Sequence, residues 1–333
     1  MPNQTPKMFK LLDIEDNEER YTVDPIINHD IWDMYQEAVG ATWFVPEVPI
    51  GGDLKDWDNP SKINKDERHF IEMVLAFFAG ADKLVADNIN INFIQDVRVL
   101  EAEHFYDHQC FMERIHSEVY SKLLTTYVRD PRKRKLLTNS LKTIPVIQRK
   151  GEWAKKYADT NTASFAERLI AFTIFEGVFF SGSFCAIFYF KQKGLLDGLC
   201  LSNDFISRDE ALHCRFSCLL YSHVINKLPE AHVHRMFMEA VAIESEFVCE
   251  ALKVPLIGIN AQSMTQYIKF VADYWLKYLG YSPLFMEQNP FDWMHLISMQ
   301  SKTNFFEKRV PDYAIAGVGN SDEDNMYGSD DDF

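Results

Sequence analysis

"MERIHSEVY", residues 112–120, sets Glu113, His116 and Tyr120 at i, i+3 and i+7, on one face of a helix. A carboxylate and an imidazole one turn apart suit a metal ion; a phenol one turn further on is not an ordinary ligand for such an ion. The Glu-x-x-His spacing recurs at Glu101/His104 and Glu210/His213, and with ten histidines in the chain roughly one such pair is expected by chance. What sets two of the three apart lies upstream. Asp82 precedes Glu113 by 31 residues and Glu176 precedes Glu210 by 34. Each half of the chain thus reads as a helix with one carboxylate followed by a helix with Glu-x-x-His, an internal pseudo-repeat.

A four-helix bundle built this way aims four carboxylates and two imidazoles at one point in its core. Hard oxygen donors with borderline nitrogen donors suit iron or manganese better than zinc or calcium. The set matches that of ferritin-like dinuclear carboxylate proteins, with Asp82 where a glutamate would stand. Without a cation the same groups would be a destabilising cluster of buried like charges. The fold expected is therefore all-α, a ferritin-like helical bundle with a dinuclear metal site in its core. Glu101, His104 and His108 fall on a different stripe, with Val97, Phe111 and Ile115, turned roughly 120° from Glu113, His116 and Tyr120 on a regular helix. His104 and His108 are read as structural or surface residues.

Composition agrees with one large folded body. The chain has 333 residues, 47% of them hydrophobic, enough to bury a sizeable core. A formal net charge of -15 argues against a nucleic-acid surface, which needs clustered Lys and Arg, and suits a soluble cytoplasmic protein. The six cysteines form no C-x-x-C pair and read as core thiols in a reducing compartment. The first twenty residues lack an apolar targeting core, so the mature chain is expected to start near residue 1. One stretch, "LIAFTIFEGVFFSGSFCAIFYF" at 169–190, imitates a membrane span. Glu176 in its middle is costly in lipid, which favours a buried central helix and no membrane.

Helical spacing is expected over 29–43, 65–89, about 94–127, the segment opened by the capping-box pair Ser164/Glu167, 202–226, about 229–252 and about 262–279. A Pro-, Gly- and Asp-rich loop covers about 45–63, and no strand alternation stands out. The end, "NSDEDNMYGSDDDF", is too polar to fold alone. The expected organisation is a flexible segment at 1–24, the helical metal-binding domain at 25–310 and a flexible acidic tail at 311–333.

"FFAGAD" (77–82), "MERIHSEVYS", "FEGVFFSGSF" (175–184), "SNDFISRDEALHC" (202–214) and "SKTNFFEKRV" (301–310) together resemble the radical-generating small subunit of class I ribonucleotide reductase, of the eukaryotic and viral type. The similarity runs from about residue 25 to Phe333. It implies Asp82, Glu113 and His116 as ligands of one metal ion and Glu176, Glu210 and His213 as ligands of the other. Two iron ions per chain, rather than manganese, are the implied cofactor. Tyr120 matches the tyrosine oxidised to a stable radical with dioxygen and an electron donor, and Phe180, Phe184 and Ile206 match its apolar pocket. Trp43, Asp209 and Tyr313 match the relay that carries the oxidising equivalent to a large subunit, where ribonucleoside diphosphates are reduced. The terminal "DDDF" matches the segment that docks on that subunit, and a homodimer is implied.

The chain departs from the family pattern at Lys83, where glycine is common, at His104 and His108, and in "WFVPEVPIGGDL" (43–54). None removes a ligand position or Tyr120. Two other classes give different expectations. A di-iron oxygenase or desaturase would show an open channel to the metal and need neither Tyr120 nor the tail. A metal-free scaffold would have lost ligands, which this sequence has not.

Overall fold

The computed structural model describes residues 12–13, 20–252, 256 and 258–294. Among them there is no strand, only the isolated bridges Leu12–Val224 and Leu256–Ile259. Among the described residues nine long helices form the fold: α1 His29–Gly40, α2 Lys65–Asn88, α3 Leu100–Tyr127, α4 Pro145–Ala158, α5 Phe165–Gly177, α6 Ser181–Gln192, α7 Asp197–Ser222, α8 Glu230–Ala251 and α9 Ala261–Tyr278. The chain divides into Met1–Phe291, which holds all nine, and Asp292–Phe333. Tyr313 and the terminal "DDDF" lie outside the described residues.

Local chemistry fixes the helix starts. At α2 the Asn64 side chain accepts from the Asp66 and Glu67 amides while Glu67 accepts from the Asn64 amide, satisfying donors that have no partner within the helix. The Ser164/Glu167 box opens α5 as the spacing predicts. The start of α7 is built across space instead. Leu196 sits in the left-handed region at φ 57°, and the Gly198 and Leu199 amides each donate to Asp53 at 2.8 Å. A Cβ at Gly198 would lie 2.9 Å from the Pro49 oxygen and Ile50 Cα, so this close approach needs glycine. The loop that follows Trp43 is thereby fastened to the first turn of α7.

Several boundaries differ from the periodicity. The run expected from about 94 to 127 is interrupted: a π-helical turn, Ile89–Phe93, prolongs α2, and the chain is extended at Val97 and Val99 before α3 begins. Val97 therefore does not share a helical stripe with His104. The expected set omitted α4, opened by Pro145 at its first position, where a missing N–H costs nothing. The membrane-like segment is wholly buried and is broken between α5 and α6. Gly177, the last residue of α5, is held to glycine by close approach, because a Cβ there would meet Trp275 Nε1 at 2.5 Å. Five of the six cysteines are buried, but Cys249 is exposed and is not a core thiol.

Packing follows the pseudo-repeat. The most extensive helix contacts pair α2 with α3 and α5 with α7, while α1 covers α3, and α4 and α9 both pack against α8. Phe77, Phe78, Phe180, Phe190 and Phe216 are completely covered, each contributing about 1.5–3 kcal/mol from burial.

Candidate metal centre

The two helix pairs bring the predicted carboxylates together. Asp82 comes from α2, Glu113 and His116 from α3, Glu176 from the last turn of α5, and Glu210 and His213 from α7; all six are buried. Among the described residues, Glu113, Glu176, Glu210 and His213 form one group, each offering one ligand atom within 4.8 Å of the others. His213 Nδ1 lies 3.1 Å from Glu210 and 3.2 Å from Glu113. His116 Nδ1 lies 3.1 Å from Glu210 and 3.7 Å from Glu113, and the two imidazole centres are 6.3 Å apart. Asp82 stands outside the group of four, and the charges that act on it most are those of Glu113, His116 and Glu210.

The electrostatics describe a site that wants cations. Burial, then the neighbouring carboxylate charges, push the Asp82 and Glu176 carboxyls far above their usual range. Burial also works against charge on Glu210, but the two imidazoles outweigh it and hold that carboxyl down. Burial opposes protonation of His213 as well, yet hydrogen bonds to Glu113 and Glu210 raise it to about 9. Protonated imidazoles thus neutralise part of the cluster, a role a metal ion fills better because it leaves them neutral and able to ligate. Apart from the imidazole–carboxylate approaches inside the cluster, both oxygens of Asp82 and of Glu113, Oε2 of Glu176, Oε1 of Glu210 and Nδ1 of His116 have no hydrogen-bond partner. Buried polar atoms normally do. Their clustering, with a donor set of carboxylate oxygen and imidazole nitrogen, fits a dinuclear metal site.

Tyr120 is 1% exposed, and its hydroxyl has no hydrogen-bond partner. Burial, then the charges of Asp82, Glu210 and Glu113, hold the phenol protonated far above its usual range. Its ring stacks on Phe78 at 4.5 Å and 7°, and Phe78 in turn meets Phe180 at 5.2 Å and Phe184 at 5.1 Å. Ile206 is fully buried. Sequence reading missed Phe78, although it precedes Asp82 by four residues on the same helix face. It also missed Gln109, four before Glu113, whose amide lies 3.4 Å from Glu176 Oε1.

Trp43 follows α1 and is buried. Its Nε1 donates to Asp209 Oδ2 at 2.7 Å, and its ring lies parallel to that of His116, 5.9 Å away. Arg208 donates to the Ala41 carbonyl at 2.8 Å, and His108 Nε2 pairs with Thr42 Oγ1 at 2.9 Å, so the turn carrying Trp43 is held from two sides. Here His108 has a structural part, and burial lowers its imidazole to about 4. His104 bonds the Leu100 carbonyl at 2.8 Å and packs against Trp32 and Tyr35. Glu101 instead ties down the segment before α1, through Arg20, the Ile27 amide and Asn28. Lys83 is exposed and pairs with Asp87 at 2.9 Å, away from the carboxylates.

The family described as "Ribonucleotide reductase, small chain" matches residues 20–290. The ribonucleoside-diphosphate reductase small chain of Trypanosoma brucei brucei is 49% identical over 322 residues, covering 96% of this chain and 94% of the relative. The Rnr4 homodimer of ribonucleotide reductase from Saccharomyces cerevisiae superimposes with a TM-score of 0.77 at 31% identity, covering 90% of this chain and 91% of that one. The dimanganese(II)-NrdF protein of Streptococcus sanguinis shares the fold, with a TM-score of 0.72 at 19% identity, covering 86% of this chain and 99% of that one.

Proposed function

The chain belongs to the ribonucleotide reductase small-chain family, and on that premise we propose that it is the radical-generating subunit of a ribonucleoside-diphosphate reductase, with Tyr120 as the residue that stores the oxidising equivalent. The observation that carries this reading is the placement of Tyr120. A phenol without a hydrogen bond lies beside a carboxylate–imidazole cluster and under an aromatic wall.

Asp82, Glu113 and His116 would hold one metal ion, and Glu176, Glu210 and His213 the other. The donor set admits iron or manganese; iron is the metal proposed here, with about two ions per chain as the ligand number requires. When bound, the pair supplies the dioxygen chemistry, with an external electron donor, that removes one electron from the Tyr120 phenol. Phe78, Phe180, Phe184 and Ile206 keep water from the ring, so that the oxidised side chain is neither hydrated nor readily reduced. Asp209 orients the His116 ring and holds the Trp43 indole proton through one oxygen. That arrangement allows an electron and a proton to leave Trp43 together.

From Trp43 the route would continue through Tyr313 in a docking tail at 311–333 to a cysteine of the large subunit, which binds and reduces the ribonucleotide. A soluble, cytoplasmic homodimer is the working form proposed, with 25–310 as the metal-binding domain. The alternative, an oxygenase acting on its own substrate, would leave the Tyr120 wall without a purpose. The test is to load metal-free protein with ferrous iron and air. It should bind about two ions per chain and show a tyrosyl signal by electron paramagnetic resonance that Tyr120→Phe abolishes. A signal surviving in that variant overturns the assignment. Deleting the last residues should spare the signal and abolish reduction with a large subunit.

A further inference from the structure

We propose that the buried ion pair Lys150–Glu244 is a positioning device for the aromatic wall over Tyr120. This rests on the reading of Tyr120 as the radical site. Lys150, from α4, and Glu244, from α8, are both 0% exposed and lie 2.5 Å apart. The same ammonium donates to the Phe179 carbonyl at 3.0 Å and sits over the rings of Phe77 at 3.5 Å and Phe247 at 3.8 Å. The carboxylate lies against Gly182, where a Cβ would come within 2.6 Å of Glu244 Oε1.

Phe179, Gly182 and Phe77, three of the groups the pair touches, border the wall. Phe179 precedes Phe180 in the break between α5 and α6, Gly182 follows it in the first turn of α6, and Phe77 packs edge-on against Phe180 at 5.6 Å. Phe180 and Phe184 meet Phe78, which stacks on Tyr120. The break keeps local hydrogen bonds from the Val178 and Phe179 amides to the Ile174 carbonyl and from Ser181 to the Val178 carbonyl, whereas the Phe179 carbonyl is gripped from outside, by Lys150. An ammonium with three donors and two ring faces is a strong grip. Stability does not require charge here, because apolar residues of similar volume commonly replace a buried pair at no loss or with a gain. What charge adds is one defined position for the Phe179 carbonyl, and through it for Phe180.

The test uses the full chain with Lys150→Met and Glu244→Leu together, so that neither charge is left alone. Loaded with ferrous iron and air, the double variant should unfold at or above the parent temperature and still form the tyrosyl signal. That signal should decay about tenfold faster, and the amides of Phe179 to Phe184 should exchange about tenfold faster with deuterium, with core amides of α3 unchanged. Gly182→Ala, which keeps both charges but crowds the carboxylate, should shift both readouts in the same direction and decides the matter if the double variant does not fold. Parent-like decay and parent-like exchange overturn the proposal. If the parent itself forms no tyrosyl signal, the Tyr120 reading fails, and exchange alone then decides whether the pair positions the break: acceleration upholds it and parent-like exchange overturns it.

Discussion

Trp43 Nε1 donates to Asp209 Oδ2 at 2.7 Å, and that one oxygen also lies 3.0 Å from His116 Nε2, so a single carboxylate oxygen joins an indole to an imidazole of the carboxylate cluster. Asp209→Asn keeps the shape and an accepting oxygen but removes the charge. The variant should fold, bind metal and form the Tyr120 signal. Ribonucleotide reduction with a large subunit should fall by about 10- to 100-fold or more. Spin quantitation beside a reductase assay checks this; full activity would show that the charge on Asp209 has no part in the relay.

Tyr120→Phe should not cost stability. The hydroxyl is buried without a partner, a situation worth about 1–3 kcal/mol of destabilisation. The melting temperature should stay level or rise by about 2–4 °C per kcal/mol recovered. Tyr127→Phe is the contrast, because the Tyr127 hydroxyl donates to Asp53 at 2.5 Å; its loss should destabilise by about 1–3 kcal/mol. Thermal scans of the two metal-free variants compare them directly.

Metal should stabilise the protein and Glu176→Gln should uncouple that effect. In the metal-free protein burial and the neighbouring carboxylates push the Glu176 carboxyl toward its neutral form, so a neutral isostere should be as stable as the parent or more so. Anaerobic ferrous ion should raise the parent's stability by about 2.7 kcal/mol at a hundredfold excess over its dissociation constant. The variant should show a smaller rise. Calorimetry with and without chelator measures both.

Acid should release the segment before α1. Burial works against charge on Glu101, but the Ile27 amide, Arg20 and Asn28 outweigh it and hold the carboxyl at about 2, below its ordinary 4.5. A depressed carboxyl gives stability that is complete above the ordinary value and lost as pH falls from about 4.5 toward 2. Glu101→Gln should remove that part of the pH dependence and expose residues 20–28 to proteolysis at neutral pH. Acid titration followed by limited digestion separates parent from variant.

Much of the fold is legible because the signals are local. Asp82, Glu113, Glu176 and Glu210 declare themselves by spacing, and the Ser164/Glu167 box fixes the start of α5 from four residues. What escapes depends on distant partners. The cap on α7 comes from Asp53 across a loop, so periodicity places that helix several residues late. The break after α2 rests on Val97 and Val99, whose apolar side chains prolong a helical pattern although their backbone is extended. Lys150 lies on a helix that the periodicity does not pick out, and only the fold brings Glu244 of α8 to it. Tyr120 alone would pass for a core tyrosine, and only its neighbours in space give it a different character.

The buried Phe165–Gln192 stretch has a consequence for biosynthesis. It leaves the ribosome before α7, α8 and α9, the helices that cover it, have been made. At ~5–20 residues per second the nascent chain carries this uncovered segment for about 4–17 s before α9 is complete. During that interval it resembles a membrane anchor in length and apolarity; Glu167, Arg168 and Lys191 lie near its ends, and Glu176 is the charge in its middle that disfavours insertion. A residue whose mature place is in the metal cluster thus helps to keep the unfinished protein out of the bilayer.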